Sequence, residues 1–419
     1  MAEVVRGASV AFLMKILAAG LSFGLNVLLA RLLGAEGAGL YFLSLTVVTA
    51  GMTIGRFGLD NTILRFIAAH VSRKEWDCVK GVYKKSIIIS ATISISVSLI
   101  LVMMSPWLSA EVFKKPDLTQ PLRWMSLSIL PLAMLFLHSE AIKALKRIRD
   151  SQLVNGVILP FAAVCGLLIL APHFGVIGAV WSHTAAATIS AISGWFIWRY
   201  NTQNTRGIKG EFSTSNLLQS SIPLLWVALM GMIINWSSTL LLGIWGTKVD
   251  VGIYGAASRT SILTSFILLS VNSIAAPKFA ALYAIRDIAG LERVARQSTK
   301  MMILMATPVL LVFITVPSTI MGIFGPDFSK GGPLLAILAL GQFVNVATGS
   351  VGYILMMTGN EKLLRNNTLV IGLGSILMGL LFIPLWGSVG AAVTTSCSVS
   401  ILNLGAYYLV WKKIGIKTI

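Results

Sequence analysis

No Asp, Glu, Lys or Arg interrupts the chain from Ser151 to Trp198, and none interrupts it from Asn366 to Trp411. Each run is long enough for two membrane spans of about 20 residues and carries a Pro/Gly turn near its middle. Both are predicted to be helical hairpins in lipid, and their turn is the same one twice. Pro172-His173-Phe174-Gly175-Val176-Ile177-Gly178-Ala179 returns 212 residues later as Pro384-Leu385-Trp386-Gly387-Ser388-Val389-Gly390-Ala391. Other echoes keep nearly that offset: Gly39-Leu40-Tyr41 with Gly252-Ile253-Tyr254, Arg65-Phe66 with Lys278-Phe279, and Phe113…Pro116-Asp117 with Phe324…Pro326-Asp327. A duplication of this size in an apolar chain implies two similar helix bundles with a substrate path between them.

The rest of the chain agrees with a lipid environment. With 56% hydrophobic and 11% charged residues and a mean hydropathy of +0.84, a soluble globule is excluded. Spans are expected near 8–30, 38–63, 86–105, 122–142, 152–171, 177–198, 217–243, 252–276, 300–321, 332–357, 367–384 and 389–411. The fold class is thus an all-α polytopic membrane protein of 12 transmembrane helices in two pseudo-symmetric six-helix lobes, 1–198 and 217–419. The polar stretch 199–216 between them has the composition of a linker. Six spans per lobe make the repeat parallel about an axis along the membrane normal. The segment Ala281 to Lys300 reads as an amphipathic surface helix.

A net charge of +18 raises the question of nucleic acid, but its distribution answers otherwise. Even-numbered loops and both tails hold 24 Lys and Arg against six in odd-numbered loops. This asymmetry predicts cytoplasmic termini. Cys78 falls in a cytoplasmic loop and Cys165 and Cys397 in spans, so no disulfide framework is implied. The first apolar run reads as a retained helix rather than a leader. His138 and His183 lie in spans without an acid partner, and no metal or nucleophile constellation emerges.

The chemistry must then lie in polar groups that lipid disfavours. A Lys or Arg near mid-membrane costs about 2.5–3.5 kcal/mol on insertion scales, which singles out Lys15, Arg56 and Arg259. Lys15 can also snorkel to the nearer surface, as can Arg259 to the outer one. Arg56 faces Asp60 four residues on, a pair that suits either a structural bridge or a cavity wall loosened by Gly55, Gly58 and Asn61. Arg65 and Lys278 occupy matching places at inner helix ends, where anchoring competes with substrate contact. Asn26, Asn235 and Asn403 either line the interior or, more in keeping with such residues, bond between helices. Expected helices 1, 7, 11 and 12 hold no acid, so the cavity is cationic and prefers a phosphate or pyrophosphate.

The run Gly58-Leu59-Asp60-Asn61-Thr62-Ile63-Leu64-Arg65-Phe66-Ile67-Ala68, with Arg31-Leu32-Leu33-Gly34…Gly39-Leu40-Tyr41 and Gly252-Ile253-Tyr254…Ala257-Ser258-Arg259, resembles polysaccharide flippases of the Wzx type. These belong to the multidrug/oligosaccharidyl-lipid/polysaccharide (MOP) exporter superfamily. The resemblance implies two lobes in a V shape that alternate between inward-open and outward-open states. The implied substrate is a polyprenyl-diphosphate-linked oligosaccharide, a repeat unit of O-antigen, capsule or exopolysaccharide, carried from the cytoplasmic to the outer leaflet of a bacterial cytoplasmic (inner) membrane. Expected partners are that lipid, membrane lipids, and the polymerase and other proteins of polysaccharide assembly, with no nucleic acid. Arg56, Arg259, Lys15, Arg65, Lys278 and Arg31 are the candidate cavity cations, with Asp60, Asn61, Asn26 and Asn235 as supporting polar groups. No cofactor is expected, and the coupling ion, proton or sodium, is left open. The alternatives are a lipid II-type flippase, whose branch adds two C-terminal helices, and a MATE-like exporter, whose branch places an acid in helix 1 or 7. A polytopic enzyme of polysaccharide assembly fits less well, because the longest outer loop runs only from Pro106 to Pro121.

Overall fold

The computed structural model describes the backbone of residues 2–205 and 207–418, and the side chains of 14–418 apart from 206, 273, 274, 277 and 284. Arg206 of the expected linker lies outside the described residues. Every regular element among the described residues is helical. The first are α1 (Ala2–Arg56), α2 (Leu59–Ser72), α3 (Trp76–Trp107), α4 (Thr119–Ser126), α5 (Ile129–Ala144), α6 (Ile148–Gln152) and α7 (Leu159–Asn201). They continue as α8 (Thr214–Trp245), α9 (Lys248–Ser261), α10 (Ser265–Ala284), α11 (Ile288–Thr315), α12 (Pro317–Gly322), α13 (Gly332–Ala347), α14 (Val351–Met357) and α15 (Glu361–Ile414). The chain divides into two compact units, Met1–Leu229 and Met230–Ile419. In the first, α5 packs on α7, α2 and α3; in the second, α13 packs on α15 and α11.

Both hairpins are present, and their turns share one backbone. Gly175 has φ 54° and ψ −130°, and Gly387 has φ 54° and ψ −129°. Positive φ is why glycine stands there. Three residues on, a Cβ on Gly178 would lie 2.3 Å from the Leu170 carbonyl oxygen, and one on Gly390 would lie 2.2 Å from that of Phe382. The second glycine thus lets the two arms touch. Two other turns repeat as well. Lys74 (φ 62°) after α2 matches Arg286 (φ 58°) after α10, and Lys146 (φ 62°) after α5 matches Gly359 (φ 75°) after α14.

Seven helical stretches among the described residues, or eight if one bent pair is counted, are long and apolar enough to cross a membrane. Gly34, Gly175 and Gly387 each divide one long stretch into two arms, giving up to eleven spans among the described residues, and α9 with α10 stands where the remaining expected span, 252–276, lies, which is consistent with twelve. The outward faces are apolar: Leu99, Ile100 and Met103 on α3 and Leu373, Leu377, Leu380 and Leu381 on α15 are exposed. The inner face of α3 is a stripe of buried serines, Ser86, Ser90, Ser94 and Ser98, spaced four apart. Without a hydrophobic drive between helices in lipid, small side chains and their hydrogen bonds hold such contacts.

Several expected spans are interrupted: 300–321 breaks at Val316 between α11 and α12, and 332–357 at Gly349 (φ 79°) between α13 and α14. The helix expected over 38–63 breaks at Phe57 (φ 53°) and Gly58 (φ 68°), and α4 and α5 meet at 43° inside the expected span 122–142. The expected surface helix 281–300 does not form as such. α10 ends at Ala284, and Asp287 caps a new helix through the Gly290 N–H that then runs unbroken to Thr315. The cap fixes the start, and the apolar residues beyond Lys300 carry the same helix onward.

Candidate functional site

Arg56 is the last residue of α1, and close contacts hold the backbone on either side of it. A Cβ on Gly55 would meet Ser94 Oγ at 2.4 Å, while one on Gly58 would meet the Ser221 carbonyl oxygen at 2.3 Å. Ser90 Oγ donates to the Gly55 carbonyl at 2.8 Å. The arginine is thereby aimed along α2. Its Nη1 donates to Asp60 Oδ2 at 2.9 Å, and its guanidinium carbon lies 4.8 Å from the Phe136 ring centroid. The two side chains are only 17% and 16% exposed, so the pair is far less screened than a surface bridge. Its buried Nε–H finds no acceptor among the described residues, which costs about 1–3 kcal/mol.

Arg65 is exposed on α2, donates to Ser220 Oγ at 3.1 Å and lies over the Phe66 ring. Asn61 is exposed on the same helix. Lys15 and Asn26 are half-buried on the first arm of α1, and Arg31 is exposed near its end. Of the expected cations, the first unit therefore brings Arg56 to Asp60 and Arg65 to the start of α8.

In the second unit Arg259 stands near the end of α9, whose start is fixed by a capping box between Thr247 and Asp250. Arg259 Nη1 donates to the Gly255 carbonyl at 3.1 Å, and its guanidinium lies 6.0 Å from the Trp236 ring centroid. Tyr254, one residue before Gly255, is buried. Its hydroxyl donates to Thr395 at 2.7 Å, and Thr395 in turn donates to Ser238 at 2.8 Å, tying α9, α15 and α8 together. Asn235 is exposed beside Trp236, and Lys278 is exposed on α10.

Among the described residues, the three asparagines make no hydrogen bond to another helix and bond within their own. Asn26, Asn235 and Asn403 each donate to the carbonyl four residues back, of Ser22, Gly231 and Val399. A short amide satisfied by its own helix has no need of a neighbour.

Some contributors escaped sequence reasoning. Phe136 and Trp236 are visible only once α5 and α8 are in place. The serine stripe had a signal, spacing by four, that was not used. Lys80 and Lys85 hold the linker: Lys80 Nζ donates to the Thr205 and Ile208 carbonyls, and Lys85 Nζ to the Phe212 carbonyl and the Thr214 hydroxyl. His70, Glu75 and Cys78 also come together at the α2–α3 turn, their donor atoms all within 4.8 Å of one another.

Comparison with known proteins adds a family and a fold. A family model described as polysaccharide biosynthesis protein matches residues 4–283. The chain is 22% identical over 410 residues to a probable low-salt glycan biosynthesis flippase, Agl15, of Haloferax volcanii, a match that covers 97% of this chain and 84% of that protein. Among solved structures, an inward-facing multidrug resistance MATE family transporter of the MOP superfamily superposes with a TM-score of 0.81 at 13% identity, over 97% of this chain and 98% of that one. The lipid II flippase MurJ in an inward closed conformation gives a TM-score of 0.75 at 15% identity, over 97% and 87% of the two chains.

Proposed function

Because the chain belongs to the polysaccharide biosynthesis protein family, and because it is a multi-pass membrane protein with a MOP-superfamily transporter fold, we propose that it is a flippase for a polyprenyl-diphosphate-linked oligosaccharide. The carrier lipid and its glycan pass from the cytoplasmic to the outer leaflet by alternating access, with 1–198 and 217–419 as lobes and 199–216 as a cytoplasmic linker. The 24-to-six asymmetry of Lys and Arg supports cytoplasmic termini. The reading invokes no enzymatic step.

The observation that carries it is a pair of arginines on apolar helices, Arg56 backed by Phe136 and Arg259 backed by Trp236. A planar guanidinium on an aromatic face can exchange one acceptor for another, and a pyrophosphate oxygen is a better acceptor than a carbonyl. Charge-assisted bonds of this kind contribute about 1.5–3 kcal/mol each. Lys15, Arg65, Lys278 and Arg31 would extend the cationic path.

The test is flipping in vesicles that contain the purified protein and a labelled polyprenyl-diphosphate oligosaccharide, read by a membrane-impermeant glycan-modifying reagent. Protein-dependent exposure of label is expected, with loss in Arg56→Ala and Arg259→Ala and partial return in the Lys variants. Undiminished flipping by both Ala variants would reject the arginine path.

A further inference from the structure

The turn between α2 and α3 repeats in the turn between α10 and α11, but its side chains do not. Glu75 N–H bonds to the His70 carbonyl and Trp76 N–H to that of Lys74; in the second turn Asp287 N–H bonds to the Leu282 carbonyl and Ile288 N–H to that of Arg286. With the backbone matched in this way, His70, Glu75 and Cys78 stand where Leu282, Asp287 and Gly290 stand in the second turn. The turn therefore forms without a histidine or a thiol. The acids also behave differently. Asp287 caps α11 through the Gly290 N–H, whereas Glu75 makes no cap for α3 and turns back to His70 Nδ1.

We propose that His70, Glu75 and Cys78 form a zinc site at this turn. Imidazole nitrogen, carboxylate oxygen and thiolate sulfur are a donor set for Zn²⁺ and Co²⁺ rather than for Mg²⁺ or Ca²⁺. Around tetrahedral zinc, with bonds of about 2.0–2.3 Å, donors stand roughly 3.3–3.8 Å apart. Three donors already within 4.8 Å of one another reach that spacing by side-chain adjustment, the metal replacing the proton shared by His70 and Glu75. Burial and then the carboxylates of Asp77, Glu75 and Glu211 hold the Cys78 thiol above its usual range, and a bound cation would offset that negative charge. The linker closes over the site: Phe212 packs edge-on against the His70 ring, and Glu211 N–H bonds to the Asp77 carbonyl. Bound zinc would therefore pin the strap 207–214 to α3.

Tag-free full-length protein in detergent, stripped with chelator and titrated with Co²⁺, reads the site directly. One equivalent should bind and produce a thiolate-to-cobalt charge-transfer band that Zn²⁺ removes. Cys78→Ser changes one atom and should abolish the band, while Cys165→Ser and Cys397→Ser keep it. His70→Ala and Glu75→Gln should each weaken binding at least about tenfold. Zn²⁺ should also slow tryptic cleavage after the exposed Lys209, with the rate restored by chelator and unaffected by zinc in Cys78→Ser. No cobalt uptake, or uptake whose spectrum and affinity do not depend on Cys78, overturns the proposal.

Discussion

The two hairpin turns at Gly175 and Gly387 agree to within a degree in φ and ψ, whereas the two arginines do not even occupy corresponding places. At the offset that pairs Tyr41 with Tyr254 and Arg65 with Lys278, Arg56 falls opposite Leu269 and Arg259 opposite Thr46. Their settings differ as well: Arg56 meets a carboxylate, while Arg259 meets a backbone carbonyl and an indole. The two units thus repeat their scaffold and not their chemistry. Steric demands at a turn admit one solution, which both units keep. A cation in an apolar helix can be accommodated in several ways, and each unit has taken its own.

The sharpest test of that comparison is a matched pair of variants. Gly178→Val and Gly390→Val each force a side chain into a carbonyl oxygen, and each should cost about 3 kcal/mol or more. Thermal unfolding in detergent should show similar losses for the two. A large loss in one and none in the other would mean that the turns are not equivalent.

The arginines should behave unequally. Arg56→Ala leaves Asp60 with its carboxylate mostly buried and its cation gone, for about 2–3 kcal/mol, somewhat under the figure for a fully buried pair. Asp60→Ala added to it should recover most of that stability without recovering flipping. Arg259→Ala removes the bond to the Gly255 carbonyl and the Trp236 ring contact among its interactions, should cost about 1 kcal/mol, and should still abolish flipping. Equal stability losses for the two single variants would break the contrast. At the small end, Asn235→Ala and Asn403→Ala should change unfolding by no more than about 0.5 kcal/mol and leave flipping intact, since each amide serves only its own helix.

What could be read from the residues follows the same division. Gly175 and Gly387 were legible because positive φ and close approach of helices both demand glycine, and the motif stands twice. The charge-free runs gave the hairpins for the reason that lipid excludes ions. The break beside Arg56 was not legible, because the close approaches around it, Ser94 of α3 to Gly55 and Ser221 of α8 to Gly58, come from helices distant in sequence. Asn26, Asn235 and Asn403 misled for a related reason: an amide can satisfy itself within its helix, and only packing decides. The start of α11 at Asp287 did carry a local signal, since Asp before a Gly-containing first turn is a common cap, but the charge-rich stretch 281–300 drew attention to amphipathicity instead.

Turns that agree this closely are interchangeable parts. The octapeptide 384–391 has the glycine spacing and proline placement to replace 172–179 with no other change, and the reverse graft has the same fit. A chimera carrying either graft should reach the membrane at normal abundance. Tolerance of both would support descent from a single half-length ancestor whose hairpin preceded the fusion, with the arginines acquired afterwards, separately in each copy.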